Sequence, residues 1–258
     1  MISNHVKSRL QQGKPSIGTW LSVPSAYSAE QVAQVGFDWL VCDAEHNPMC
    51  IETLANMFIA ISSQGTAPLV RIPWNTGENI KRVLDAGAWG VVVPMVNSKQ
   101  EAEQAVRYAK YPPEGERSVG GGRHKTSLKG TTVKDYTLRA NEQTLVVVQI
   151  EHIRAVESLD EILSVPGIDA CYIGPNDLLA SMGHPPAQTS SHPDFVQAVE
   201  HVLHTAKACG VAPGMHVYTP EAVNEKIAAG FQMLALASEM GIMLSALRSG
   251  LSSINWDK

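Results

Sequence analysis

Eight short apolar runs rich in β-branched residues alternate with longer segments of helical period, and few architectures accommodate that rhythm. The runs are Ile17–Ser22, Phe37–Cys42, Ala67–Arg71, Gly90–Met95, Leu145–Ile150, Ile168–Ile173, Val211–Met215 and Phe231–Leu236. Their largely unalternating apolar character suits strands buried on both faces of a parallel sheet. Between them lie amphipathic stretches over Ser25–Gln34, Ile51–Ser62, Asn79–Ala86, Ser98–Ala109, Arg154–Leu163, Pro193–Cys209 and Pro220–Ala228. Gly36, Gly87, Gly210 and Gly230 stand where a helix stops and the next strand begins. About eight such αβ units predict a (β/α)8 TIM barrel, with residues 1–258 as a single domain. A doubly wound open sheet is the alternative; it is disfavoured because neither GxGxxG nor GxxxxGKS/T occurs.

Two segments depart from the rhythm. Tyr111–Asn141 has no sustained apolar period and carries the run Gly120-Gly-Gly-Arg-His-Lys125. A long insertion between the fourth and fifth strands of a barrel predicts a functional loop. The final stretch, Gly241 to Trp256, contains Ile242, Met243, Leu244, Leu247, Leu251, Ile254 and Trp256. So much apolar surface needs burial, on its own barrel or on a neighbouring subunit.

Composition narrows the class of partner. Hydrophobic residues make up 44% of the 258, enough to offset chain entropy by burial, so disorder is excluded. A net charge of −5 without any Lys/Arg cluster argues against nucleic acid and anionic membranes as partners. No apolar run approaches the ~18 residues that span a bilayer. Lys7 to Lys14 is polar where a signal peptide would be apolar. Cys42, Cys50, Cys171 and Cys209 form no CxxC pair and are expected to be reduced. The expectation is a soluble cytoplasmic protein.

Catalytic groups of a barrel come from the carboxyl ends of its strands. Strand two ends in Asp43-Ala-Glu45-His46, strand three in Arg71, and strand five in Gln149-Ile-Glu151. Gly174-Pro-Asn-Asp177 follows strand six. Glu151 and Asp177 would then lie on adjacent strands, and two carboxylates with open positions describe a Mg²⁺ or Mn²⁺ site. Singly, each has a plainer reading, as a helix N-terminal acid or an N-cap. His46 fits a general base, with Asp43 or Asp85 as the acid that sets its tautomer. Arg71 is costly to bury without an anion, which is either Glu45 or an enolate or carboxylate oxygen of a ligand. Lys81, Lys99 and Lys110 all fall on helical stretches, so none stands at a strand end to form a Schiff base.

Phe37-Asp-Trp-Leu-Val-Cys-Asp-Ala-Glu-His46, Val70-Arg-Ile-Pro-Trp-Asn75, Tyr111-Pro-Pro-x-Gly-x-Arg117, Val148-Gln-Ile-Glu151 and Tyr172-Ile-Gly-Pro-Asn-Asp177 closely resemble the HpcH/HpaI aldolases. That family comprises metal-dependent class II pyruvate aldolases, and the resemblance runs from about Ser8 to Leu247. It implies that Glu151 and Asp177 hold a divalent metal (Mg²⁺, Mn²⁺ or Co²⁺), that His46 is the base, and that Arg71 stabilises an enolate oxygen. It also implies that Asp85, which can come from the adjoining subunit, raises the basicity of His46. Gln149 and the backbone of Gly174, Pro175 and Asn176 would contact pyruvate. A homo-oligomer, a hexamer built as a trimer of dimers, is implied as well. The chain departs from the family pattern at Gly120–Lys125, and at Asn176, where a small residue such as alanine is common.

The resemblance implies reversible cleavage of a 4-hydroxy-2-oxo acid to pyruvate and an aldehyde. It extends to macrophomate synthase, so oxaloacetate decarboxylation with enolate addition to another acceptor is an alternative. A catalytically silent metabolite-binding barrel is the third, although every costly site group is present. Arg123, His124, Lys125 and Lys129 offer a distal carboxylate a landing place, or form a solvated basic loop.

Overall fold

The computed structural model describes residues 3–120, 122–123 and 132–255. Eight parallel strands close into one barrel in chain order: β1 (Ser16–Leu21), β2 (Trp39–Asp43), β3 (Ala67–Arg71), β4 (Gly90–Val93), β5 (Leu145–Ile150), β6 (Ala170–Ile173), β7 (Ala212–Val217) and β8 (Met233–Ser238). β8 pairs with β1, and Ser16 lies opposite Met233. The (β/α)8 barrel expected from the apolar rhythm is therefore observed, and β3 and β5 coincide with their predicted bounds.

The surrounding helices are α2 (Ala26–Ala33), α3 (Ile51–Ser63), α4 (Gly77–Ala86), α5 (Lys99–Ala109), α6 (Val133–Gln143), α7 (Ile153–Glu157), α8 (Leu159–Leu163), α9 (Pro175–Ser181), α10 (Pro193–Ala208), α11 (Pro220–Ala229) and α12 (Glu239–Ser252). Gly36, Gly87, Gly210 and Gly230 all adopt positive φ, as helix stops require. The predicted helix Arg154–Leu163 is two short ones, because the chain leaves helical geometry at Ser158. The insertion contains α6, with Tyr136, Ala140 and Asn141 buried. Its sparse apolar positions give little helical period, which hid it in the sequence. Ser25, Thr76, Ser98, Thr132 and Thr219 cap their helices through side-chain oxygens.

Two apolar layers follow from strand alternation. Leu40, Cys42, Val70, Val146, Val148 and Ile150 face the helices, while Trp39, Val41, Ala67, Leu69, Leu145, Val147, Ala170, Tyr172 and Met233 fill the barrel. Trp39 fits only because Gly18 carries no side chain: a Cβ there would overlap the indole. All four cysteines are free, and burial pushes the Cys171 thiol up to about 12.

A further helix, α1 (His5–Gln11), occupies the polar stretch that showed no element in the sequence. Val6 and Leu10 join the barrel interior, so α1 seals the N-terminal end of the strands. Its polar groups reach the turns there: Asn4 donates to the carbonyls of Trp89 and Gln143, and Lys7 Nζ to the carbonyl of Thr144. Lys7 also meets both carboxylate oxygens of Asp169, at 3.0 and 3.1 Å. Among the described residues no helix is long and apolar enough to cross a membrane.

Lys7→Met leaves the Asp169 carboxylate buried without its counter-charge and should cost roughly 3–5 kcal/mol, read from the denaturant midpoint. Adding Asp169→Asn should recover part of the loss, because the amide oxygen still accepts from the Val146 N–H. A Lys7→Met midpoint equal to wild type would contradict the sealing role.

Candidate active site

With the N-terminal end sealed, the open end is the one where strands finish, and alternation decides what faces it. Counting inward positions along each strand (Gly18 and Trp20; Trp39 and Val41; Ala67 and Leu69; Leu145 and Val147) brings Asp43, Arg71 and Gln149 inward at the rim. Tyr172 on β6 and His216 on β7 fall in the same tier. They line a cavity of about 360 Å³ with Asp43, His46, Arg71, Gln149 and Glu151. Gly174, Pro175, Asn176 and Asp177, at the start of α9, complete it beside Trp20, Ser22 and Ser238. The candidates His46, Asp43, Arg71, Gln149, Glu151 and residues 174–177 therefore all reach this cavity, whereas Asp85 and Arg123 do not line it.

Arg71 is the centre of the charged network. Its Nε and Nη2 donate to the two oxygens of Asp43 at 2.8 and 2.9 Å, and Nη1 lies 3.1 Å from Glu45 Oε2. The guanidinium carbon sits 4.5 Å from the centre of the Trp20 ring, which adds a cation–π contact in a desolvated place. Burial opposes its charge, yet Asp43, Glu45 and Glu151 more than restore it, and the guanidinium is held above its ordinary pKa. Trp20 is fixed in turn by an Nε1–H bond to the Tyr172 hydroxyl and by stacking on His216.

Asp43 is saturated. Besides Arg71 it accepts from the Glu45 N–H and from Asn47 Nδ2. It is thus the anchor of Arg71, and it is not the acid that orients His46, one of the two roles the sequence left open. The carboxylate beside His46 is Glu45, with Oε2 at 3.7 Å from Nε2. Asp85 does not approach His46 within this chain. It holds the buried Arg117 at 2.7 Å, and Arg117 lies against Tyr111 and Tyr136 of the insertion. Arg123 donates to the Ala86 carbonyl next to Asp85 and is not among the cavity residues. His124, Lys125 and Lys129 lie outside the described residues.

Glu151 is 2% exposed and faces no basic group at hydrogen-bond distance. Burial pushes its carboxyl up to about 7, and the Glu45 and Asp177 charges push the same way, against the Met95 N–H and Arg71. Oε1 accepts from Met95 N at 2.8 Å and Oε2 from Gln149 Nε2 at 2.7 Å. Met95 reaches that pose at φ 54°, a left-handed conformation that costs energy in a non-glycine residue. Gly174 must be glycine: a Cβ would lie 2.7 Å from Glu151 Oε2. These second contacts aim a carboxylate into the cavity, beside Asp177 at the next strand end.

Four carboxylates (Asp43, Glu45, Glu151 and Asp177) thus crowd one guanidinium. The donor set open to the cavity, Glu151 with Asp177, is oxygen only, which suits a hard divalent cation such as Mg²⁺ or Mn²⁺. The residues present fit such an ion, because its charge would offset the burial and the neighbouring carboxylates that together raise Glu151.

Trp20, Glu45 and His216 were missing from the sequence-derived set. Glu45 stood in the quoted cluster as a possible structural partner of Arg71. Trp20 sits in an apolar run and reads as core, and His216 lies one residue past the Val211–Met215 run, although counting inward positions to the strand ends finds both. Burial, and the Arg71 charge, hold the His216 imidazole down at about 4, so it is neutral.

A family model for HpcH/HpaI aldolase/citrate lyase matches residues 16–246. A Klebsiella pneumoniae protein named 4-hydroxy-2-oxo-heptane-1,7-dioate aldolase is 39% identical over 254 residues, covering 98% of this chain and 93% of its own length. Its namesake from Shigella sonnei is 37% identical, over 95% of this chain and 92% of its own. Among solved structures, an HpcH/HpaI aldolase/citrate lyase family protein from Burkholderia cenocepacia superposes with a TM-score of 0.91 at 34% identity, covering 98% of this chain and 100% of that one. Macrophomate synthase superposes at 0.86 with 23% identity over 96% of this chain and 87% of its own, a likeness of fold. The motifs, the barrel and the matched span converge, and the chain belongs to the HpcH/HpaI aldolase/citrate lyase family.

Proposed function

We propose that this chain is an aldolase that reversibly cleaves a 4-hydroxy-2-oxo acid to pyruvate and an aldehyde. The observation that carries the reading is one cavity lined by a buried carboxylate, Glu151, with the exposed Asp177 beside it, an anchored guanidinium and an exposed imidazole. The names of its relatives supply the reaction class.

Glu151 and Asp177 would hold a divalent ion, which supplies Lewis-acid polarisation of the 2-oxo group. The remaining work falls to side chains of this chain. Of the five N–H groups of Arg71, two donate to Asp43, and Nη1 forms an ion pair with Glu45 without a hydrogen bond. The Nη1 side of the guanidinium is therefore available to the substrate oxygen on which charge develops. Asp43 and Trp20 keep the guanidinium in place, so little reorganisation accompanies that charge. His46, 63% exposed at its side chain and beside Glu45, takes the C4 hydroxyl proton. The C3–C4 bond then breaks, its electron pair forming the C2–C3 double bond as charge passes to the C2 oxygen; the aldehyde leaves, and the proton held on His46 returns to C3 to complete pyruvate. Gln149 holds Glu151 through its amide nitrogen, and its buried Oε1 has no protein partner. Within this scheme Asp85 would act on His46 only from a neighbouring subunit.

Oligomerisation is part of the proposal. No residue of α12 is buried, and Ile242, Met243, Leu244, Leu247 and Leu251 are all exposed along it. A helix with that much uncovered apolar surface belongs against a second copy of the chain.

Pyruvate release from a panel of 4-hydroxy-2-oxo acids, in Mg²⁺, Mn²⁺ or Co²⁺, is the direct test; no release from any of them defeats the reading. Oxaloacetate supplied alone measures decarboxylation separately. Glu151→Gln should abolish divalent-dependent turnover and leave the barrel folded, and full activity of that variant in a chelator would contradict the assignment. His46→Ala should lower turnover by ~10²–10⁴ while Km changes little. Leu247→Glu with Leu251→Glu should reduce the mass measured by light scattering; an unchanged mass places the interface elsewhere.

A further inference from the structure

The connection from α9 to α10 brings together three side chains that the proposed reaction does not use. His184 follows α9, His192 caps α10, and Asp194 stands in the first turn of α10. One ligand atom from each lies within 4.8 Å of the others. The imidazoles face each other with centroids 3.8 Å apart, tilted by 40°. Asp194 Oδ2 sits 3.9 Å from His184 Nε2 and 3.7 Å from His192 Nδ1. Both distances are too long for hydrogen bonds. His184 Nε2 is nevertheless shielded from solvent and has no other hydrogen-bond partner.

The two imidazoles and the carboxylate make no side-chain hydrogen bond to one another, which leaves their ligand atoms to converge on one ion. N- and O-ligands bind zinc at ~2.0–2.2 Å, so two atoms on one ion lie at most about 4.2 Å apart. Both Asp194 separations fall inside that limit, and the three ligand atoms all lie within 4.8 Å of one another. The bond from Asp194 N–H to His192 Nδ1 is long, at 3.4 Å, so that lone pair moves onto an ion at little cost. We infer that His184, His192 and Asp194 form a second metal site, for a borderline transition-metal cation of the Zn²⁺ class. Imidazole donors separate it from the oxygen-only Glu151–Asp177 pair, which suits harder ions.

The place of the cluster gives the ion its role. His184 and His192 bracket the connection, so a shared ion closes residues 185–191 into a loop. Gln188, Thr189 and Ser190 of that loop line a cavity of about 420 Å³ whose far wall includes His216. His216 also lines the catalytic cavity. The ion therefore staples a surface loop whose neighbour belongs to the site, and it takes no part in the chemistry.

Equilibrium dialysis of the whole chain against Zn²⁺, together with the visible absorption of the Co²⁺-loaded protein, tests this. Glu151→Gln with Asp177→Asn should still retain one Zn²⁺ per chain, and its Co²⁺ form should show the intense bands of a low-coordinate site with nitrogen donors. His184→Phe with His192→Asn, which keeps a ring and a helix cap, should bind one Zn²⁺ fewer than wild type and keep Mg²⁺-supported turnover. The inference is overturned if the carboxylate variant binds no Zn²⁺, or if the histidine variant binds as much as wild type. Both readings use metal binding alone, so they hold whether or not the chain proves to be an aldolase, and the carboxylate variant leaves the histidines intact should the other fail to fold.

Discussion

The ion pair between Arg71 and Asp43 is the contact on which the catalytic end of the barrel depends. A guanidinium enclosed at a barrel rim is tolerated only with its charge matched and its donors used, and Asp43 does both bidentately from the adjacent strand. The register places Asp43 directly opposite Arg71, so strand pairing itself sets the geometry. From there the consequences spread outward. Arg71 lies over Trp20, Trp20 is held by Tyr172 and His216, and Glu45 is drawn inward next to His46.

The same pairing explains why the acids divide their work. Asp43 is consumed by structure, with four donors on its two oxygens. Glu151 receives only neutral donors, from Met95 and Gln149, so its charge is oriented without being cancelled. That arrangement is costly in the folded chain, as the left-handed Met95 and the raised carboxyl both attest. Sites that bind charge are commonly built at the expense of stability.

Much of this was legible in the sequence because charge at the end of an apolar strand is anomalous. Asp43, Arg71, Gln149 and Glu151 stand out for that reason, and all reach one cavity. Asp85 carries the same kind of charge but sits on a helix, and nothing local told that its partner would be Arg117, 32 residues away. Trp20 was hidden by the opposite effect, since an aromatic residue in a hydrophobic run looks like packing, and His216 by standing one residue past its run. The helix α1 escaped notice because its polar contacts with the barrel floor are long-range, while only Val6 and Leu10 carry an apolar signal. Propensity and period report local order; these features are set by which strand ends meet.

The two ends of the barrel solve opposite problems, and the contrast bears on how the site can exist. At the floor, Lys7 and Asp169 neutralise each other where α1 packs on the barrel. At the rim, four acids face Arg71, and the imbalance is left standing where solvent and substrate enter. A barrel open at both ends would let water screen that field from below and would leave the inner layer of Trp39, Leu69 and Leu145 wetted. Closing one end with apolar packing and a matched ion pair keeps the interior dry and rigid, so the unmatched charge at the other end is held in fixed positions. The proposed divalent ion then enters a place already shaped and charged for it, and most of the reorganisation that binding would otherwise demand has been met in folding.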